Sequence, residues 1–213
     1  MLLTKNTVVA CAASLAVTLS GCASMSDTTT TSYAYEIYNV EAKSHERASV
    51  ENAMIAGIKT RLTKVNVQKN PPPYPMPATP GRFQTQQIGV GTGMGAMAAM
   101  AGSSLPMIAA CPGASVVAHS NDDDFSAYGE NTRYTFCLWE YEGGYHVDTF
   151  ASYTSRSGIV ADPNVLGAQL GRALAGDSSK LIPMVMKEIR TKLEQTGAKI
   201  TVVDSYNPFE KKG

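Results

Sequence analysis

The stretch RYTFCLWEYE (133–142), GG (143–144), YHVDTFASYT (145–154) decides the fold class. Two ten-residue runs rich in aromatic and β-branched side chains flank a Gly-Gly pair whose freedom to take positive φ suits a tight turn. This is the pattern of an antiparallel hairpin. Setting Glu142 opposite Tyr145 pairs Leu138 with Thr149, Phe136 with Ala151 and Tyr134 with Tyr153 on one face, which is assigned to the core. Cys137, Trp139, Tyr141, His146 and Phe150 then fall on the other face. Trp139, Tyr141 and Phe150 make it a candidate ligand or partner surface, but exposed aromatic patches are uncommon, so cover by another part of the chain is the expectation.

Outward from the hairpin, Ser115 to His119 reads as a short apolar strand and Asn121 to Asp124 as a solvated turn. Phe125 breaks the alternate oxygen ligands that a calcium loop needs. Tyr33 to Val40 alternates Tyr33, Tyr35 and Ile37 with smaller or polar residues and predicts a strand. A helix is expected from His45 to Leu62, with Ser44 as N-cap and Val50, Met54, Ile58 and Leu62 on one buried stripe. Lys64 to Lys69 alternates again, and the intervening helix implies a crossover within one sheet. On the C-terminal side, Asp162-Pro163 starts a helix with a Leu166, Leu170, Leu174 stripe that Gly176 ends. A further helix begins near Ser179, buries Ile182, Val185, Met186, Ile189 and Leu193, and is capped at Gly197. Lys199 to Asp204 returns a last strand. The order implies an α+β domain: an antiparallel or mixed sheet of five to six strands with two or three helices packed mainly on one face.

Residues 70–113 interrupt this order. Pro71-Pro72-Pro73-Tyr74-Pro75-Met76-Pro77 lacks the amide donors of a ladder and reads as a stiff spacer. From Phe83 to Val117 there is no charged side chain. The glycines at 89, 91, 93 and 95 do not form a nucleotide loop, since no Gly-Lys-Ser/Thr follows. Gly, Ser and Pro make the segment a poor membrane span. Small-residue spacing allows a lipid- or partner-facing helix. A flexible, loosely packed insertion is the preferred reading. Met94, Met97 and Met100 carry soft thioethers and are weak candidates for Cu(I), although Met is also a common filler of apolar surfaces.

The N-terminus belongs to processing rather than to the fold. Lys5 precedes an uncharged run from Val8 to Leu19, too short to span a hydrocarbon core, and Leu19-Ser20-Gly21-Cys22 follows. This tetrapeptide resembles the lipobox of bacterial lipoproteins. The resemblance covers only these first residues and implies removal of 1–21, acylation of Cys22 as the lipidation site, and, with Ala23 and Ser24 instead of Asp behind it, delivery to the outer membrane. Residues 22–32 read as the lipidated Cys and a flexible tether, 33–206 as the single domain, and 207–213 as a tail.

Removing 1–21 leaves 17 basic against 18 acidic side chains, with no basic stripe. Nucleic acid is therefore not an expected partner. Cys111 and Cys137 are an even pair in an oxidising compartment, and a disulfide is expected. His45, His119 and His146 lie in separate elements. His146 and Asp148 share one side of a strand and read as a solvated edge pair without a third ligand. No catalytic motif and no cofactor is indicated. The expectation is a non-enzymatic outer-membrane lipoprotein on the periplasmic side, anchored in the lipid membrane through acylated Cys22 and binding or supporting an envelope protein partner. The alternative is a periplasmic soft-metal or small-ligand binding lipoprotein.

Overall fold

The computed structural model describes residues 28–100, 103–124, 126, 130–157 and 178–210. The fold is α+β, as expected. Six strands form one antiparallel sheet in the order β2-β5-β6-β7-β1-β8. They are β1 (Thr28–Glu41), β2 (Val65–Lys69), β5 (Val116–Asp122), β6 (Glu130–Tyr141), β7 (Gly144–Ser157) and β8 (Lys199–Tyr206). A separate two-stranded sheet pairs β3 (Gln84–Gln87) with β4 (Met107–Ala110).

The strand expected from Tyr33 begins at Thr28, so much of the segment assigned to a tether is ordered sheet. Thr28 to Thr31 stand opposite Ser157 to Thr154, and β-branched Thr favours extended backbone. The far boundary also moves. Phe209, assigned to the tail, packs edge-on against Tyr153 at 5.6 Å between ring centres.

The hairpin register differs from the expected one by two residues. Tyr141 lies opposite Gly144, the turn is Glu142-Gly143, and Leu138, Phe136 and Tyr134 face Val147, Thr149 and Ala151. Gly144 is consumed by the sheet: its φ is +123°, and a Cβ there would come within 2.5 Å of the Val40 carbonyl oxygen on β1. Two residues is one full side-chain period of a strand, so every residue keeps its expected face.

Tyr134, Phe136, Leu138, Val147 and Ala151 bury against helices α1 (Arg47–Arg61) and α3 (Leu181–Glu194). Val50, Met54, Ile58 and Leu62 form the α1 stripe, and Ile182, Val185, Met186, Ile189 and Leu193 that of α3. The helices meet at Gly57, where a Cβ would come within 2.6 Å of the Ile189 Cα. A 3-10 turn, Ser44–Glu46, precedes α1, and Glu46 rather than Ser44 holds the cap position. The Glu46 carboxylate accepts the Lys43 N–H at 2.6 Å, which closes that turn. Gly197 takes φ +81° and donates to the Glu194 carbonyl at 3.1 Å, as a helix-ending glycine should. The helix expected from Asp162 with Leu166, Leu170 and Leu174 lies outside the described residues.

β1 and β2 share the sheet, with α1 as the crossover and β5, β6 and β7 between them. The insertion is more ordered than expected. It folds as β3, then helix α2 (Gly93–Met100), then β4, with the Ile88 N–H bound to the Pro106 carbonyl at 2.9 Å. The Pro-rich segment carries no strand and crosses one end of the sheet. Asn70 donates to the Ser115 carbonyl at 2.7 Å before it, and Pro77 accepts the Glu142 N–H at 3.0 Å after it.

Candidate functional site

Helices α1 and α3 occupy one face of the sheet, so any ligand surface of the sheet itself is sought on the other. That second face divides into a covered half over β6, β7 and β1 and a half over β2, β5 and the first part of β6 that the described residues leave open.

The covered half carries the expected aromatic residues, but they are not exposed. Trp139 is 4% and Phe150 2% accessible, so this face is covered by another part of the chain, which was the favoured expectation over an open ligand or partner surface. The cover comes from the two ends of the insertion. From one end, Phe83 lies 5.3 Å from the Phe150 ring and 5.6 Å from that of Tyr35. Gly81 lies flat on the indole, and any Cβ at that position would fall onto the ring of Trp139. From the other end, the Cys111–Cys137 disulfide forms as expected, Ala114 packs beside it, and the Pro112 carbonyl accepts the Trp139 indole N–H at 3.1 Å. Tyr141 is half-buried and its hydroxyl donates to Asn39 Oδ1 at 2.6 Å.

His146 and Asp148 also lie under this cover, not at a solvated edge. His146 is 4% and Asp148 1% accessible, because β7 is an interior strand of the sheet. Asp148 Oδ2 accepts the Phe83 N–H at 3.0 Å. Its Oδ1 stands 3.1 Å from His146 Nδ1, close enough for an ion pair but without hydrogen-bond alignment. The carboxylate therefore fastens the cover through a backbone amide. Among the described residues, no three His, Cys, Asp or Glu side chains converge as a metal site.

The open half is a cleft of about 850 Å³ that sequence reasoning missed. Asn66 of β2, His119 and Asn121 of β5, and Arg133 and Thr135 of β6 share this side of the sheet, while Ile108 and Ala109 of β4 supply an apolar wall. His119 Nδ1 lies 3.3 Å from Thr135 Oγ1. Part of the imidazole reaches solvent, yet the flanking chain withdraws enough water to lower its pKa below the ordinary histidine value. Near the cleft, Lys64 pairs with Asp123 at 2.5 Å. The local signal was present, since His119 and Asn121 alternate with core-facing Ala118 and Ser120. What the alternation lacked was the neighbour, because β4 has no strand pattern in its sequence.

No family model, curated protein or solved structure matches this chain.

Of the weak metal candidates, Met97 and Met100 lie outside both halves. Met97 is 72% and Met100 90% accessible on α2. The side chain of Met94, and Cys22, the expected lipidation site, lie outside the described residues. Among the described residues, no helix is long and apolar enough to cross a membrane.

Proposed function

We propose that the mature chain is a non-enzymatic outer-membrane lipoprotein on the periplasmic side, whose domain binds or supports another cell-envelope component through the open cleft. The cleft is the observation that carries the binding role. It offers a guanidinium, two carboxamides and a hydroxyl beside an apolar wall, a set suited to a ligand or chain segment rich in carbonyl or carboxylate acceptors. The Leu19-Ser20-Gly21-Cys22 lipobox supports the anchor. The burial of His146 and Asp148 supports a non-catalytic role, because a substrate could not reach that pair without displacing Phe83.

The test places a photo-crosslinking residue at His119 or Arg133 in intact cells, with Lys59 on the exposed side of α1 as control. A reproducible envelope-protein adduct from the cleft positions, absent from Lys59, is expected. Adducts only to bulk lipid and abundant porins, or equal yields from Lys59, would defeat the partner reading. Cys22→Ala should abolish incorporation of labelled palmitate.

A second reading is favoured by the same cleft, whose volume lies within the usual range for small-molecule sites, about 300–1,000 Å³. In that case a small periplasmic ligand would raise the melting temperature of the protein, and Arg133→Ala would remove the shift. Cu(I) remains its soft-metal form, tested by titration before and after changing Met94, Met97 and Met100 to Leu.

A further inference from the structure

The insertion between β3 and β4 has an apolar tip that neither half of the second face uses. We infer that this tip, Ile88 to Met100, docks onto the lipid leaflet that holds the acyl chains of Cys22, an inference that rests on the lipoprotein reading above.

Three observations converge on a lipid surface. First, the tip presents apolar groups outward: Val90 is 63%, Met97 72% and Met100 90% accessible, and Gly91 and Gly93 face open space. Second, no side chain from Phe83 to Val117 is charged, so immersing the tip in a headgroup region desolvates no ion. Met is also unbranched and polarizable, which suits an irregular apolar surrounding. Third, the chain path ties the tip to the anchor. The segment leaving α2 is bonded to the first residues of β1: the Ser104 N–H donates to the Thr29 carbonyl at 3.0 Å, and the Ser104 hydroxyl accepts the Thr31 N–H at 2.5 Å. β8 pairs β1 only from Tyr35 to Glu41, so Ser104 uses the edge that β8 leaves free.

Thr28 follows Cys22 by six residues, a span of at most about 20 Å when fully extended. The tip is therefore held close to the bilayer by the acyl anchor. Intrinsic affinity can then be low, because the tether keeps the effective concentration of the surface high. The eight residues of α2 measure about 12 Å along the axis, far short of the roughly 30 Å hydrocarbon core, so the helix lies in the interface and does not span. Acyl chains and tip together make two contacts, which fix the domain's orientation where one tether would leave it free to swing.

The test uses the full mature lipidated protein in phosphatidylethanolamine/phosphatidylglycerol vesicles whose acyl chains carry bromine. Single Trp additions are made at Met97, Met100 and, as control, Val203 on β8, which is 55% accessible. Buried Trp139 supplies an unchanged background that also reports folding. Met97→Trp and Met100→Trp should lose several-fold more emission to bromine than Val203→Trp, a Trp placed at Val90 should show the same excess, and a Met97→Glu, Met100→Glu double change should remove that excess from Val90→Trp. Protein that floats with the vesicles but is quenched equally at positions 97, 100 and 203 overturns the docking while leaving the anchor intact. Protein that does not float overturns the lipoprotein reading, and the docking with it.

Discussion

The half of the second face built by β6, β7 and β1 and the half built by β2 and β5 share one pleat and one alternation of side chains. One is buried around Trp139 and the other is a cleft around His119. The difference comes from the insertion, whose two ends converge on Trp139 while β4 stands off from β5 as a wall. A disulfide, an indole hydrogen bond and a carboxylate–amide bond hold those ends down. No comparable set of bonds closes the cleft among the described residues. Covering a sheet face thus needs polar fastening as well as apolar contact, because the covering loops bring backbone groups that must find partners.

The largest expected effect breaks the covered half at its centre. Trp139→Ala removes the indole under Gly81 and leaves the Pro112 carbonyl without its donor, so urea unfolding should show a loss of about 3–5 kcal/mol. A loss below about 1 kcal/mol would mean that the cover is not part of the cooperative core. Replacing both Cys111 and Cys137 with Ala opens a loop with a sequence separation of 26 and should cost about 3 kcal/mol. Hydrogen exchange should then rise at the amides of residues 81–83 before it rises in α1. Gly81→Ala forces a methyl onto the indole and should cost about 1–3 kcal/mol, with a change in Trp139 emission.

The open half should answer differently. Arg133 is exposed, and Arg133→Ala should shift stability by no more than about 0.5 kcal/mol while lowering the yield of crosslinks from His119. An equally large loss of stability in the two halves would erase the distinction between them. The smallest effect is that of pH. Burial lowers the His119 pKa below its unfolded value, so as pH falls through the ordinary imidazole range the unfolded chain takes up the proton first. Stability should therefore decline on acidification, and His119→Gln should remove that part of the slope in urea midpoints measured across the range.

Helix faces were legible from spacing alone. Val50, Met54, Ile58 and Leu62 are all inside because a period near 3.6 is a property of the backbone. The hairpin was legible in its faces but not in its register. Gly143 and Gly144 both permit a turn, and only the approach of Val40 from β1 decides that Gly144 belongs to the strand. The order within the insertion was not legible, since Gln84-Thr85-Gln86-Gln87 and Met107-Ile108-Ala109-Ala110 alternate no polarity. Each forms a strand because the other is there to receive its hydrogen bonds. The cleft followed the same logic: His119 and Arg133 could be assigned to a face but not to a site.

Alternation and spacing settled which side chains point together, because these depend on a residue and its near neighbours in the chain. They reached as far as the α+β class, the two helix stripes and the two faces of the hairpin, while the pairing of Cys111 with Cys137 came from their number and the expected oxidising compartment. Whether a face is wet is not a local property. Trp139 and His119 both belong to the same face, and the burial of one and exposure of the other depend on Gly81, Phe83 and Pro112, which only the folded path of the insertion brings to the sheet.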